Sequence, residues 1–330
     1  MTFVNKCVCG LRVFSGENLC TTSRKFISNP SYNHGLTGCG KKGRKQYFVP
    51  DNLKPKADVL FGINPVLLAL KNGRREKFHR LYIKQEAWDI DNDNEGVQII
   101  KEIATERNIL ISYVKAGVLA ALSRQRPNQG VCLDAGKFPV TRFFDDEKHM
   151  EKQIRDSLNN DRTNLSPYPI WLLLYEIQDP MNVGAILRTA HFMGVDQVIL
   201  TTEKSCKMNS VVSKASAGAM EVMTLKNLSP GRKSYLSFIQ LWKSCGGSVI
   251  GTTSSQHPKS ESVIDYSFNT PILLIMGNEG YGVEQEILDN CDTLFTVTPG
   301  TQEANIVSSL NVSVTTGILL HSLLNKMTKS

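Results

Sequence analysis

The sequence predicts an α/β protein organised as two domains, and three observations carry that expectation. The chain has 330 residues, enough for two hydrophobic cores. From residue 58 onward short apolar runs alternate with amphipathic stretches, as strands alternate with helices in α/β domains. Between two such blocks, residues 139–167 crowd charge together and end on Pro167 and Pro169, the pattern of a linker with some helical character.

Residues 1–56 stand apart. Lys6, Arg12, Arg24, Lys25, Lys41, Lys42, Arg44 and Lys45 face only Glu17 and Asp51. A basic, acid-poor segment containing Ser and Thr has the composition of a mitochondrial import sequence; a disordered, solvated tail has it too. Gly35, Gly38, Gly40 and Gly43 disfavour a helix there, so order is expected to begin near residue 57.

The first block, 57–138, opens with Asn64 and Pro65 as N-cap and first residue of a helix that stops at Gly73. A strand over 79–84, a helix over 95–107, an apolar run over 109–114 and a strand near 130–133 follow. The formal net charge of +7 favours an anionic partner without identifying one. Lys71, Arg74, Arg75, Lys77, His79 and Arg80, with Arg124 and Arg126, are candidates for phosphate contact, with a solvated surface as the alternative.

The second block, 168–326, starts with the apolar strand 170–175, short enough to be buried on both faces. A helix over 183–193 is stopped by Gly194, and strands are expected over 195–200, 248–251 and 272–276. The last element, 307–324, is apolar on nearly every side, which predicts a buried helix or a subunit contact. No run of about 18 or more uncharged apolar residues occurs, so no membrane-spanning helix is expected. The eight cysteines form no CxxC pair and have no histidines at zinc spacing, so free thiols are expected, with neither disulfides nor metal.

Three segments of the second block carry chemistry. DPMNVGAILRTA, 179–190, sits where a strand ends and a helix starts, with Asn182 as a candidate N-cap and Arg188 on one face with Gly184 and Ala185. On spacing alone it is no more specific than a capped helix with a surface arginine. GNEGYG, 277–282, follows a strand; its glycines let backbone amides approach a ligand, but it is neither a phosphate loop nor GxGxxG. SSLNVSVTTG, 308–317, opens the last helix, where Ser308 or Ser309 is the expected cap and Asn311 needs a partner.

These motifs, in this order on successive α/β elements, resemble the SpoU (TrmH) family of RNA ribose 2'-O-methyltransferases over about residues 58–325. FGINPV at 61–66 and NQGV at 128–131 resemble its small substrate-binding domain, and the leader agrees with a mitochondrial large-subunit rRNA enzyme. Residues 297–307 depart from the family pattern in length and in the position of their proline.

The resemblance implies a SPOUT-type catalytic domain with a parallel sheet and a trefoil knot, preceded by an L30e-like RNA-binding domain, in a homodimer of the mitochondrial matrix. It implies S-adenosylmethionine bound against Gly277, Val297 and Leu310, rRNA as partner, and catalytic roles for Arg188, Asn182, Glu279, Ser309 and Asn311. Deprotonating an arginine near pH 7.5 costs about 8 to 9 kcal/mol, so Arg188 is expected to act charged, gripping phosphate and developing oxyanion. The proton would leave through Glu279, water or an RNA phosphate. A tRNA substrate, or an RNA-binding assembly factor without turnover, are the alternatives; a nucleotide-dependent oxidoreductase is disfavoured because no dinucleotide fingerprint is present.

Overall fold

The computed structural model describes residues 48–85, 95–143, 146–159, 168–253, 257–263, 266, 269–297 and 309–327. Most of the leader, with Cys7, Cys9, Cys20 and Cys39, lies outside the described residues; its last part, 48–56, is described and is folded. The 3-10 turn Asp51–Leu53 is captured by the first domain: the Tyr82 hydroxyl donates to the Leu53 carbonyl (2.9 Å) and Arg80 Nη1 to that of Asn52 (2.6 Å). The Asp134 carboxylate accepts from the amides of Lys56 (2.7 Å) and Ala57 (2.9 Å). Order therefore begins before residue 57, because side chains far along the sequence supply the partners for this backbone.

The first domain runs β1 (Asp58–Phe61), α1 (Ile63–Asn72), β2 (Phe78–Lys84), α2 (Glu95–Glu106), β3 (Leu110–Val114), α3 (Ala116–Leu122) and β4 (Val131–Ala135). Its sheet has the order β1-β4-β2-β3, with only β2 and β3 parallel. Leu60, Leu81, Ile83 and Leu133 pack on one face against Leu70 of α1 and Ile100 of α2. Phe61, Tyr82 and Cys132 pack on the other against Leu119 and Leu122 of α3. Helix α1 starts at Ile63 rather than after Asn64, since Gln129 Oε1 accepts the Ile63 amide (3.2 Å) from across the domain. It ends as expected at Gly73, whose φ of 60° is left-handed.

The second domain begins inside the segment read as a linker. There β5 (Thr141–Arg142) and α4 (Glu147–Asn159) precede β6 (Ile170–Leu174), α5 (Pro180–Phe192), β7 (Gln197–Leu200), α6 (Ser210–Ala215) and α7 (Ala219–Val222). Then come β8 (Leu225–Asn227), α8 (Arg232–Ser244), β9 (Ser248–Thr252), β10 (Ser260–Ser262), β11 (Ile272–Met276), α9 (Gln285–Asp289), β12 (Thr293–Thr296) and α10 (Val312–Met327). Strand β5 pairs with β8, and Met150 and Ile154 of α4 join Trp171 and Trp242 in the core. The charge run conceals an amphipathic helix whose apolar pair is spaced i, i+4.

The eight strands are all parallel, in the order β10-β12-β9-β11-β6-β7-β8-β5. Ile170, Leu172 and Leu174 of β6 face one layer with α5 and α10; Trp171 and Leu173 face the other with α4, α8 and α9. Burial on both faces explains the unbroken apolar run of this strand. Between β6 and β11 the strand order reverses direction, and parallel sheets build ligand sites outside the carboxyl ends of such a pair. The trefoil knot implied by the resemblance depends on the path between β12 and α10, where residues 298–308 lie outside the described residues. No described helix is long and apolar enough to cross a membrane.

Candidate active site

The three motifs meet at that strand switch. Helix α5 starts one turn earlier than the sequence suggests: Asp179, not Asn182, is the N-cap, accepting the Met181 amide at 2.8 Å, with Pro180 as first residue. The Asn182 side chain is thereby left free to bridge motifs. Its Nδ2 donates to Glu279 Oε1 (3.1 Å), and its Oδ1 accepts from Asn311 Nδ2 (3.0 Å). Glu279 also accepts from the amides of Gln178 (3.1 Å) and Asp179 (3.0 Å). Asn311 itself caps α10, its Oδ1 accepting from the Ser313 amide (2.9 Å) and hydroxyl (2.6 Å). The cap expected of Ser308 or Ser309 thus belongs to Asn311; Ser309 is exposed, and Ser308 lies outside the described residues.

The second motif is a tight fold-back. Asn278 and Gly282 exchange backbone hydrogen bonds of 3.0 Å, and a Cβ on Gly277 would stand 2.5 Å from the Gly282 carbonyl carbon, so only glycine fits. Asn278 anchors the loop by donating to the Glu176 carbonyl (2.6 Å) and accepting the Gly280 amide (2.8 Å). The Tyr281 hydroxyl donates to the Glu176 carboxylate, which also lies 3.4 Å from Lys204 Nζ. Glu176 is buried and left-handed, at φ 52°. Sequence reasoning missed Glu176, Asn278 and Tyr281; the one available signal was a carboxylate directly after an apolar strand.

Electrostatics revise the part expected of Glu279. Burial alone would raise its pKa, but the hydrogen bonds from Asn182 and from the Asp179 and Gln178 amides outweigh that and hold it below the ordinary glutamate range. A carboxylate so stabilised as the anion is a poor proton acceptor near neutral pH. Glu279 ties the second motif to the first through these hydrogen bonds, which weigh against the proton route expected of it.

Arg188 stands elsewhere. It lies six residues along α5 from Asn182, about 9 Å further along the axis and on a different face. It is exposed and opens onto a cleft of about 490 Å³ lined also by His191, Phe192, Ser216, Ala217 and Leu68 of the first domain. The expected cofactor residues lie at the carboxyl edge of the sheet. Gly277 is buried after β11, Val297 is half-buried after β12, and Leu310 is 47% exposed ahead of α10. A side-chain-free Gly277 beside the apolar Val297 and Leu310 fits a nucleoside-bearing ligand held by backbone groups.

The basic candidates divide. Arg75 is buried with its guanidinium on Glu221, which removes it from the surface available to RNA. Arg74 donates to the Met223 carbonyl (2.5 Å) and Thr224 Oγ1 (3.2 Å), and Arg80 lies over the Tyr82 ring while donating to the Asn52 carbonyl. Lys77, Arg124 and Arg126 are exposed. Arg124 and Gln125 are consecutive left-handed residues (φ 52° and 61°), and Ser123 Oγ donates to the Arg126 carbonyl (2.8 Å), so this loop is preformed. Cys132, Cys206, Cys245 and Cys291 are free thiols, and among the described residues no group of His, Cys, Asp and Glu is placed to hold a metal.

Residues 169–321 match the SpoU rRNA Methylase family, and 59–140 match the family of RNA 2'-O ribose methyltransferase substrate-binding domains. The chain is 34% identical over 283 residues to the Homo sapiens protein named rRNA methyltransferase 1, mitochondrial, covering 83% of this chain and 74% of that one. It is 35% identical over 228 residues to a 23S rRNA (guanosine-2'-O-)-methyltransferase of Neisseria meningitidis, covering 67% of this chain and 78% of that one. The fold is shared with an AdoMet-bound rRNA methyltransferase from Sinorhizobium meliloti, with a TM-score of 0.58 at 20% identity over 82% of this chain and 87% of that one. The chain belongs to the SpoU rRNA methylase family.

Proposed function

We propose that this chain methylates the ribose 2'-hydroxyl of a guanosine in mitochondrial large-subunit rRNA, using S-adenosylmethionine. The observation that carries the reading is the Glu279–Asn182–Asn311 chain of hydrogen bonds, which ties all three motifs together at the strand switch. The names of the human and Neisseria relatives support the substrate.

S-adenosylmethionine, held by Gly277, Val297 and Leu310, supplies an electrophilic methyl group. Asn182, Glu279, Ser309 and Asn311 fix the walls of the site, so that alignment of the attacking oxygen is built in before substrate arrives. Arg188 stays charged, grips the target phosphate and stabilises negative charge growing on the 2'-oxygen. The proton leaves that oxygen for water or an RNA phosphate oxygen, because Glu279 is committed to its clamp. Lys77, Arg124 and Arg126 contact phosphates and set affinity, while an exposed, splayed nucleotide sets specificity.

The chain acts as a homodimer in the mitochondrial matrix, directed there by its leader. Support for the dimer comes from exposed apolar side chains aligned on two packed helices: Met181 and Phe192 on α5, Val314 and Ile318 on α10. Helix α10 buries Leu319, Leu320 and Leu323 on its other face, so a second copy is the partner that an apolar residue such as Ile318 awaits. Ile318→Lys should give a monomer in sedimentation; an unchanged mass would remove this face from the dimer.

The decisive experiment is transfer of labelled methyl to mitochondrial rRNA and tRNA transcripts, with ribose methylation mapped and Arg188→Ala as control. Label on an rRNA guanosine, lost in the variant, is the expected result. Label on tRNA alone would replace the substrate, and no label on any RNA despite cofactor binding would overturn the enzymatic reading.

A further inference from the structure

Arg75 and Glu221 form a buried ion pair that joins the two domains, with both side chains 1% exposed. The guanidinium grips the carboxylate in a fork, Nε to Oε2 at 2.9 Å and Nη2 to Oε1 at 2.8 Å. Its Nη1 donates to the Gly136 carbonyl (2.7 Å), and Ser213 Oγ donates to Glu221 Oε1 (2.7 Å). Two further contacts join the domains nearby: Arg74 holds the Met223 carbonyl, and Lys214 Nζ donates to Gln129 Oε1 (2.8 Å), the oxygen that also receives the Ile63 amide of α1. Gly218 lets α1 approach so closely that a Cβ there would stand 3.0 Å from the Asn64 carbonyl oxygen.

The docked segment connects onward to the site. Helix α6 carries Ser213 and Lys214 and packs backbone-close on α5 at Gly184, and α5 carries Arg188 and Asn182. Through these contacts the preformed loop bearing Arg124 and Arg126 has a fixed place relative to Arg188. A buried ion pair contributes little stability over apolar side chains of similar volume, whereas a bidentate fork fixes orientation.

We propose that Arg75 and Glu221 form an interdomain latch that sets the angle at which the RNA-binding domain presents its substrate to Arg188, making both positioning residues for methyl transfer. The inference rests on the reading under Proposed function.

The test uses the full chain with three variants, Arg75→Met, Glu221→Gln and the double Arg75→Met/Glu221→Leu; the double removes both fully buried charges and leaves only the part-exposed Asp58 carboxylate, 3.6 Å from Arg75 Nη1, without its cation, so it folds even if the singles do not. S-adenosylmethionine affinity, RNA affinity, melting temperature, single-turnover methyl transfer and amide exchange over α1 and α7 are compared with wild type. In the double variant the expected result is a near-normal melting temperature, cofactor affinity within about twofold and RNA affinity within about threefold, yet a transfer rate at least about tenfold lower and faster exchange. Recovery of rate along with stability would overturn the latch and leave the pair a packing element. If wild type methylates no RNA, the functional reading fails instead, and the exchange data still judge the docking: unchanged exchange over α1 and α7 in the double variant overturns it.

Discussion

Gly184→Ala sets two effects of opposite sign against each other. A helix-interior glycine costs up to about 1 kcal/mol relative to alanine, so helix propensity alone predicts a stabler protein. At Gly184, however, an added Cβ would lie 2.3 Å from the Ala215 Cβ, 2.9 Å from the Val212 carbonyl oxygen and 3.0 Å from the Ser216 amide nitrogen. Carbon atoms ordinarily meet at about 3.5 to 4.0 Å, so α5 and α6 must part by more than about 1 Å, and two of the three obstacles are backbone. Overpacking of this kind costs about 1 to 3 kcal/mol, and with two backbone obstacles the upper part of that range applies, which outweighs the propensity gain and leaves a net loss of about 1 to 2 kcal/mol. Gly317 in α10 is the control: its nearest neighbour there would be Thr189 Cγ2 at 3.9 Å, an ordinary contact, so Gly317→Ala should gain about 0.5 to 1 kcal/mol. Urea unfolding at 25 °C reads both, as midpoints moving in opposite directions at unchanged slope. A Gly184→Ala protein as stable as wild type, or both variants moving together, would show that the packing of α5 on α6 is not as close as described.

Glu279→Ala leaves three donors without their acceptor; because water reaches this site the cost is about 1 to 2 kcal/mol rather than the sum of three charged hydrogen bonds, and calorimetry reads it. The depressed pKa of Glu279 means its stabilisation is present above the unfolded glutamate value of 4.5 and is lost as pH falls through the lower folded value. Glu279→Gln should therefore flatten the acid limb of stability below about pH 4.5, and an unchanged limb would contradict the clamp. Arg188→Ala should lower single-turnover transfer by about 100-fold or more with cofactor affinity kept, and Arg188→Lys should recover only part, since an ammonium cannot fork a phosphate; full activity in either variant removes the assignment. Replacing Arg124 and Arg126 together by alanine should reduce the slope of log affinity against log salt by about 1.4 for a single-stranded target, and an unchanged slope would move the RNA to another surface.

Much of the catalytic domain was legible because parallel strands buried on both faces read as plain apolar runs: β6, β9 and β11 stand within two residues of their expected bounds. What failed to read was whatever depended on partners distant in sequence. Asn64 and Asn182 both looked like helix caps, yet Gln129 caps α1 from another loop and Asp179 takes the cap of α5, freeing Asn182 to reach Glu279 and Asn311. Arg74 and Arg75 looked like RNA contacts because charge near a helix end is usually solvated; only the fold reveals that α7 brings a buried carboxylate to Arg75. The charged stretch 147–159 hid its apolar pair, Met150 and Ile154, behind mean polarity.

The clamp also bears on where catalysis gets its proton acceptor. Glu279 joins the second motif to the first and, through Asn182, to the third, and its charge is already shared among two amides and Asn182; taking up a proton would weaken those three hydrogen bonds. A base whose protonation loosens the site that aligns the reaction works against itself. In the proposed mechanism the protein therefore supplies fixed geometry and the positive charge of Arg188, and the proton is carried by groups that arrive with the substrate or the solvent.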